Sequence, residues 1–446
     1  MTDFFPEKLS AIEQYLFVEN RASFPLDFYM HLTFDAEIDT TRLQAAFLSA
    51  ADHHPLLRAI VTRNGRHYEW QKCDVEPTFQ VHTASATAPR NPIDLGSEPG
   101  VRLIVVPRSG CHELVFQFQH TATDGLGAMG FISDVFLEYA RHSNPALPEI
   151  NRDATLLAKR HLCGFFKDTL ASRIRKYIRA ASLTRQFFTN RVFPMVPQSE
   201  ELGQQRIAED YVGHHSHTFD KEESDALRRF ARQRGVSLNS LLTRDAFIAI
   251  DKIRKSARGY TPDDHIRIAI PGNQRSSRSN ARCPAANFFS MIFPSRTGLQ
   301  MRDQDRQLRS VHEEIREGRT GYHFAVFIFC LKLLRLIPGG IERNVKADKC
   351  LTTLLLTNFG DAVSERWNYH RDSRIQLGGA VVQAIDVVAP MRPFQSIAVA
   401  TIEHAGEQTV TLSYDPRVHS DAESADILQR YVRQIRRSVC SEPVTS

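Results

Sequence analysis

Residues 115–130 read VFQFQHTATDGLGAMG, and three of them have the types and spacing for chemistry. His120 ends an alternating apolar/polar run, and Asp124 and Gly125 follow it. A neutral imidazole has an unperturbed pKa near 6.5, so it can take a proton from a hydroxyl or an amine at physiological pH. Three roles are open for His120: a packing residue, a metal ligand and a general base. A metal site needs further His, Cys or Asp/Glu ligands at suitable spacing, and none lies nearby in the sequence. An H-x-x-x-D-G triple arises by chance in only about one in twenty-five chains of this length at average composition. That favours a working motif.

The strand that must aim His120 is written in the sequence. Leu114, Phe116 and Phe118 fall on one face and Val115, Gln117 and Gln119 on the other, the alternation of a half-buried strand. Gly125 is expected to provide backbone angles that other residues resist. Around this motif, the first 150 residues alternate strand and helix signals. LDFYMHLTF (26–34) reads as a strand, and a helix follows with Asp39 or Thr40 as N-cap. In that helix Leu43, Ala46, Phe47, Ala50 and Ala51 share one face. Asn64-Gly65 and Ser109-Gly110 each sit between strand-like arms and predict hairpins. His53 and His54, beside Pro55 at a helix end, read as cap or surface residues.

The second half repeats the alternation. Asp220 with Glu223, and Ser420 with Glu423, have capping-box spacing, and Ser237 can cap a further helix. Strands are predicted at 265–271, 287–293 and 352–358, with three more before the C-terminal helix. FAVFIFCLKLLRLI (324–337) is too short for a bilayer span and carries Lys332 and Arg335, so it reads as a buried helix. No fixed-period repeat is present.

Composition narrows the class. The chain has 446 residues, 42% hydrophobic and 24% charged, as an ordinary globular protein does. Its seven cysteines are scattered without a CxxC pair, which indicates neither a disulfide framework nor a zinc site. MTDFFPEKLSAIEQYLF lacks the basic and apolar regions of a signal peptide. A reduced, cytoplasmic protein is the expectation. The net charge of +5 is unevenly spread. Residues 159–191 hold nine Lys or Arg and a single acid, Asp168, a local +8 that leaves the remainder at −3. Three readings of this stretch are open: a solvated helix face, a peripheral contact with anionic lipid at the inner membrane surface, or docking of an acidic acyl carrier protein or coenzyme A phosphates. No motif supports nucleic-acid binding.

HTATDG resembles the H-x-x-x-D-G signature of the chloramphenicol-acetyltransferase-like superfamily. This group includes nonribosomal peptide synthetase condensation domains, plant BAHD-type acyltransferases, alcohol O-acetyltransferases and polyketide-associated acyltransferases. Other elements follow in the family's order: HHPLLRA (53–59), IDLGSEPGVRL (93–103), IAIPGNQR (268–275), AANFFS (285–290), TNFG (357–360) and LSYDPRVHS (412–420). The resemblance covers most of the chain.

It implies an α/β (α+β) fold of two acyltransferase-like halves with mixed sheets, in a V around a central channel. The halves are expected at 1–150 and 211–446, with 151–210 as a basic linker or crossover. His120 is then the base that deprotonates an acceptor for attack on an acyl thioester. No cofactor is held; acyl-CoA or a phosphopantetheinyl carrier acts as co-substrate. Asp124 becomes structural, paired with Arg275 as first choice or Arg58 as second. Asn358 and Gln119 are candidate contacts to substrate or oxyanion, with a turn residue as the alternative for Asn358 and a polar strand residue that hydrogen-bonds the loop as the alternative for Gln119.

Two departures matter. Condensation domains carry HHxxxDG, and Gln119 stands at the first histidine, which favours an alcohol acceptor over an amine. TNFG is not the DFGWG of the plant enzymes. No carrier-protein or adenylation module accompanies the two halves within the chain.

Overall fold

The computed structural model describes residues 4–82, 91–161, 182, 184–196, 202, 205, 207, 211–255, 261–275, 282–320, 322–346, 349–361, 370–371 and 374–440. Of the basic stretch, 162–181 and 183 therefore lie outside the described residues.

Strands β1 (Glu7–Lys8), β3 (Ala59–Asn64) and β4 (His67–Lys72) form a small sheet in the order β1-β4-β3. The first seven-stranded sheet takes β2 (Asp27–Phe34), β5 (Thr78–Val81), β6 (Val101–Arg108), β7 (Cys111–Gln119), β13 (His370–Arg371), β14 (Arg374–Leu377) and β15 (Ala380–Val388). Its order is β13-β14-β15-β2-β7-β6-β5. The second takes β8 (Gly213–Phe219), β9 (His265–Asn273), β10 (Phe289–Ile292), β12 (Leu354–Asn358), β16 (Ile397–His404) and β17 (Glu407–Tyr414). Its order is β10-β9-β12-β16-β17-β8, with β11 (Ser295–Thr297) also on β9.

Both large sheets are mixed. In the first, β5 runs parallel to β6 among antiparallel neighbours, and in the second β12 is parallel to both β9 and β16. The predicted hairpins form, with Gly65 and Gly110 at φ of 59° and 75°, where a glycine is the natural occupant. The predicted caps form too. Asp39, Asp220 and Ser237 accept backbone N–H bonds at their helix starts, and Ser420 and Glu423 make a reciprocal box.

Four expectations are corrected. A boundary at 211 does not hold for 370–388, because β15 pairs antiparallel with β2 and brings β13 and β14 into the first sheet. Strand β7 is buried on both faces rather than one. Leu114, Phe116 and Phe118 enter the main core of the first half, while Val115 joins a cluster with Tyr211, Val212 and Ala398 from the second. The helix Tyr322–Leu336 is not buried all round. Ile328 and Leu331 pack on the helix Ala11–Glu19, but Phe329, Leu333 and Leu336 are exposed. Within 159–191, Arg160 is not a surface cation, since its buried guanidinium pairs with Glu13 at 3.1 Å. No helix among the described residues is long and apolar enough to cross a membrane.

Candidate active site

The central position of β7 decides where His120 goes. Its sheet neighbours β2 and β6 hold the strand from both sides, and the chain leaves the sheet at Gln119. There the His120 N–H donates to the Leu26 carbonyl at 3.0 Å, so the backbone is fixed one residue past the strand. Gln119 is fully buried, and its Oε1 accepts from the Thr121 N–H at 2.6 Å. Its carboxamide closes the loop and is not in the wall of the cavity that His120 lines. Of the two roles open for Gln119, the geometry is that of the loop-bonding one and not of the substrate contact: it shapes the loop that carries the histidine.

Asp124 organises the other end of the loop. It is the N-cap of the helix Gly125–Arg141, with Oδ1 accepting the Gly127 N–H at 2.8 Å. Its Oδ2 accepts from Arg275 Nη1 and from the Phe288 N–H, each at 2.8 Å. The pair is buried, with side-chain exposures of 8% and 3%. The first-choice partner is thus the one present. Arg58 instead pairs with Asp52 on the helix that precedes it.

Gly125 is needed for a reason other than the expected one. Its φ is not positive; a Cβ at this position would meet the Phe359 ring at 2.5 Å. TNFG, from the second half, thus packs directly on HTATDG through the space a side chain would occupy.

A strap from the second half completes the assembly, and sequence reasoning saw only part of it. Asn287 Nδ2 donates to the carbonyls of His120 and Thr121 at 2.9 and 2.7 Å. The Ala286 carbonyl accepts from the Asp124 N–H and from Arg275 Nη2. The Ala285 N–H donates to His54 Nδ1 at 2.8 Å, and His54 Nε2 meets Asp134 at 2.8 Å. Arg152 donates to both carboxylate oxygens of Asp134. Burial alone would raise the Asp134 pKa, but the bonds from His54 and Arg152 hold it below the ordinary carboxylate value. Burial lowers the His54 pKa, against the pull of Asp134. His54 is therefore a buried connector between the halves and not a surface residue. The signal was its place beside the Pro55 turn and the AANFFS motif, but nothing in the spacing joins two segments more than two hundred residues apart.

The His120 ring is held between Phe28 and Phe289, with centroids 5.2 and 5.4 Å away, one ring from each half. Nδ1 is buried, which leaves Nε2 as the nitrogen toward the cavity. Burial lowers the imidazole pKa, opposed by the backbone carbonyls of His120 and Thr123 and by Asp124; Arg392 adds to the lowering. The result is an uncharged imidazole at neutral pH, the form able to accept a proton.

The cavity measures about 510 Å³ and is walled by both halves. Gly125 and Leu126 come from the first, and Pro271, Asn273, Phe289 and Asn358 from the second. Asn358 Oδ1 accepts from the Gly360 N–H at 2.7 Å, so this residue caps a turn and also faces the cavity. Arg392 lies in the same wall, paired with Glu19 and Tyr15. It is a cation close to the reacting volume that no sequence pattern singled out. Among the described residues no group of three or more His, Cys, Asp or Glu could hold a metal ion.

No protein-family model matches the sequence, and neither does any curated protein. Solved structures do match over nearly the whole chain. The first condensation domain of the calcium-dependent antibiotic synthetase superposes with a TM-score of 0.69 at 12% identity, covering 99% of this chain and 97% of that one. The starter condensation domain of rhizomide synthetase, in complex with C8-CoA and Leu-SNAC, gives 0.68 at 12%, covering 97% and 94%. A trichothecene 15-O-acetyltransferase of Fusarium sporotrichioides gives 0.69 at 12%, covering 97% and 94%. The chain has the two-halved, chloramphenicol-acetyltransferase-like fold of condensation domains and related acyltransferases.

Proposed function

We propose that this chain, built on the fold of condensation domains and of an O-acetyltransferase, transfers an acyl group from a thioester to an alcohol acceptor. The observation that carries the reading is His120: a half-buried, uncharged imidazole aimed into a cavity walled by both halves. His120 Nε2 takes the proton of the acceptor hydroxyl as its oxygen attacks the thioester carbonyl. The tetrahedral intermediate then collapses with cleavage of the C–S bond, and the proton passes from His120 to the leaving thiolate. Rate comes from positioning both substrates in one cavity, from base catalysis and from stabilising the developing oxyanion. Arg392 and the Asn358 side chain line that cavity and are the candidates for the last role. The donor is acyl-CoA or an acyl carrier protein; the rhizomide neighbour was solved with C8-CoA.

An amide-forming reaction is the second reading, favoured by the condensation domains among the structural neighbours. Against it stands Gln119, which replaces the first histidine of HHxxxDG and is committed to the loop. The remaining alternative is a non-catalytic relative that binds an acyl carrier or another protein. A panel of acyl-CoA donors with free-thiol detection separates these. Thiol release that depends on an alcohol, and falls about a hundredfold or more in His120→Ala, is the expected result. Release that depends on amines alone favours the second reading, and equal background in both proteins overturns catalysis.

A further inference from the structure

A second cavity, of about 820 Å³, shares Tyr15, Met291, Ile292, Phe327 and Arg392 with the wall of the His120 cavity. Its lining adds the apolar Phe187, Phe293, Leu331 and Leu334 to charged side chains that include Arg267, Arg296, Arg302, Asp303, Arg306 and Glu314. One of these charges is buried without an acid beside it among the described residues. Arg267 lies on β9 between Ile266 and Ile268, both of which enter the core of the second half, so it faces the other way. It is only 2% exposed and lines the cavity.

The Arg267 guanidinium has no carboxylate partner among the described residues. Nη1 donates to the Leu351 carbonyl at 3.1 Å and Nη2 to the Gln186 carbonyl at 3.4 Å, with the Phe187 ring 4.4 Å away. The nearby Cys350 is no counter-ion, since burial pushes its thiol up to about 12. The other buried cation of this cavity, Arg296, is neutralised by Glu314 at 2.9 Å, the half-buried Arg392 pairs with Glu19, and Arg302 and Arg306 are exposed. Burial lowers the Arg267 pKa to about 10, which leaves it charged at neutral pH. A desolvated cation facing carbonyls alone is costly, and an anion arriving there offsets that cost with charge-assisted, bidentate bonds.

We propose that this cavity receives the acceptor, and that the acceptor is a hydroxy acid with an apolar body whose carboxylate pairs with Arg267 while its hydroxyl reaches His120. The assignment rests on reading the His120 cavity as the acyl-transfer site. The spacing suits it. Arg267 and Pro271, which lines the His120 cavity, are four residues apart on β9, about 13 Å at roughly 3.3 Å per residue. Phe293, Phe327 and Leu331 in the cavity wall offer an apolar surface to a hydrocarbon linker.

The test uses ω-hydroxydecanoate, its methyl ester and decanol as acceptors, with the complete protein and an acyl-CoA donor. The acid is expected to have a KM about thirtyfold below that of the ester, and Arg267→Gln to remove the difference. The acid–ester comparison needs only the parent protein, so it stands even where the variant fails to fold. Equal use of acid and ester by the parent overturns the proposal. So does a variant whose KM rises for acyl-CoA and not for the acid, because the anion is then a coenzyme A phosphate. Binding of acid and ester is measured in parallel by calorimetry without donor. Should no alcohol release thiol while the acid still binds through Arg267, the transfer reading fails and the anion site stands. Equal binding of the two overturns the anion site whatever the turnover.

Discussion

At the scale of single residues, the site depends on an imidazole kept neutral and a glycine kept small. Because burial holds the His120 pKa below the ordinary imidazole value, the base form persists to lower pH than a free histidine allows. The acid limb of the kcat/KM profile is accordingly expected below pH 6.5, the ordinary imidazole value. A limb at or above that value would show that the titrating group is not His120. Gly125 makes a separate prediction. An alanine Cβ meets the Phe359 ring at 2.5 Å, an overlap of the kind that costs about 1–3 kcal/mol. Gly125→Ala should melt earlier than the parent, and Phe359→Leu in the same chain should restore part of the loss. A double variant no more stable than Gly125→Ala would mean that the ring is not the obstacle.

At the scale of elements, the loop 120–124 is rigid because three segments converge on it. The cap of the helix Gly125–Arg141, strand β9 running on to Arg275, and the strap 285–288 all meet at Asp124. Removing one partner of such a buried pair leaves the other charge desolvated, at a cost of about 3–5 kcal/mol. Arg275→Ala is expected to lower both the midpoint of chemical denaturation and the rate of thiol release. A variant that unfolds like the parent would show that Asp124 is held well enough by its two N–H donors. Asn287→Ala tests the strap more gently. It strips two donors from the carbonyls of His120 and Thr121, so activity should fall further than stability does.

At the scale of the whole molecule, the two halves are not independent units. Strand β15 pairs with β2 over six residue pairs, although it lies more than three hundred residues further along the chain. Without it β2 becomes an open edge in the sheet that carries His120. Residues 1–210 expressed alone are therefore expected to lack a cooperative melt, and the complete chain to unfold in one calorimetric transition. A fragment with a sharp transition of its own, or two transitions in the parent, would contradict this coupling.

Local pattern was enough to find what local forces build. Alternation marked β7, β9, β16 and β17, glycine pairs marked the hairpins, and Asp or Ser at helix starts marked the caps, because each depends on neighbours within a few residues. The resemblance in HTATDG and in PGNQR pointed to His120 and to the Asp124–Arg275 pair. Tertiary structure decided the rest. Val115 read as part of a solvent face until the second half covered it, Gln117 until Asp27 and Asn91 bonded it, and His54 read as a surface residue until Ala285 and Asp134 arrived from elsewhere in the chain. Gly125 read as a flexible turn and serves as a seat for Phe359. Arg267 and Arg392 carry no signature at all. Their importance lies in which cavity they enter and which carboxylate they meet or lack, and burial and charge pairing are set by contacts between segments that sequence periodicity does not encode.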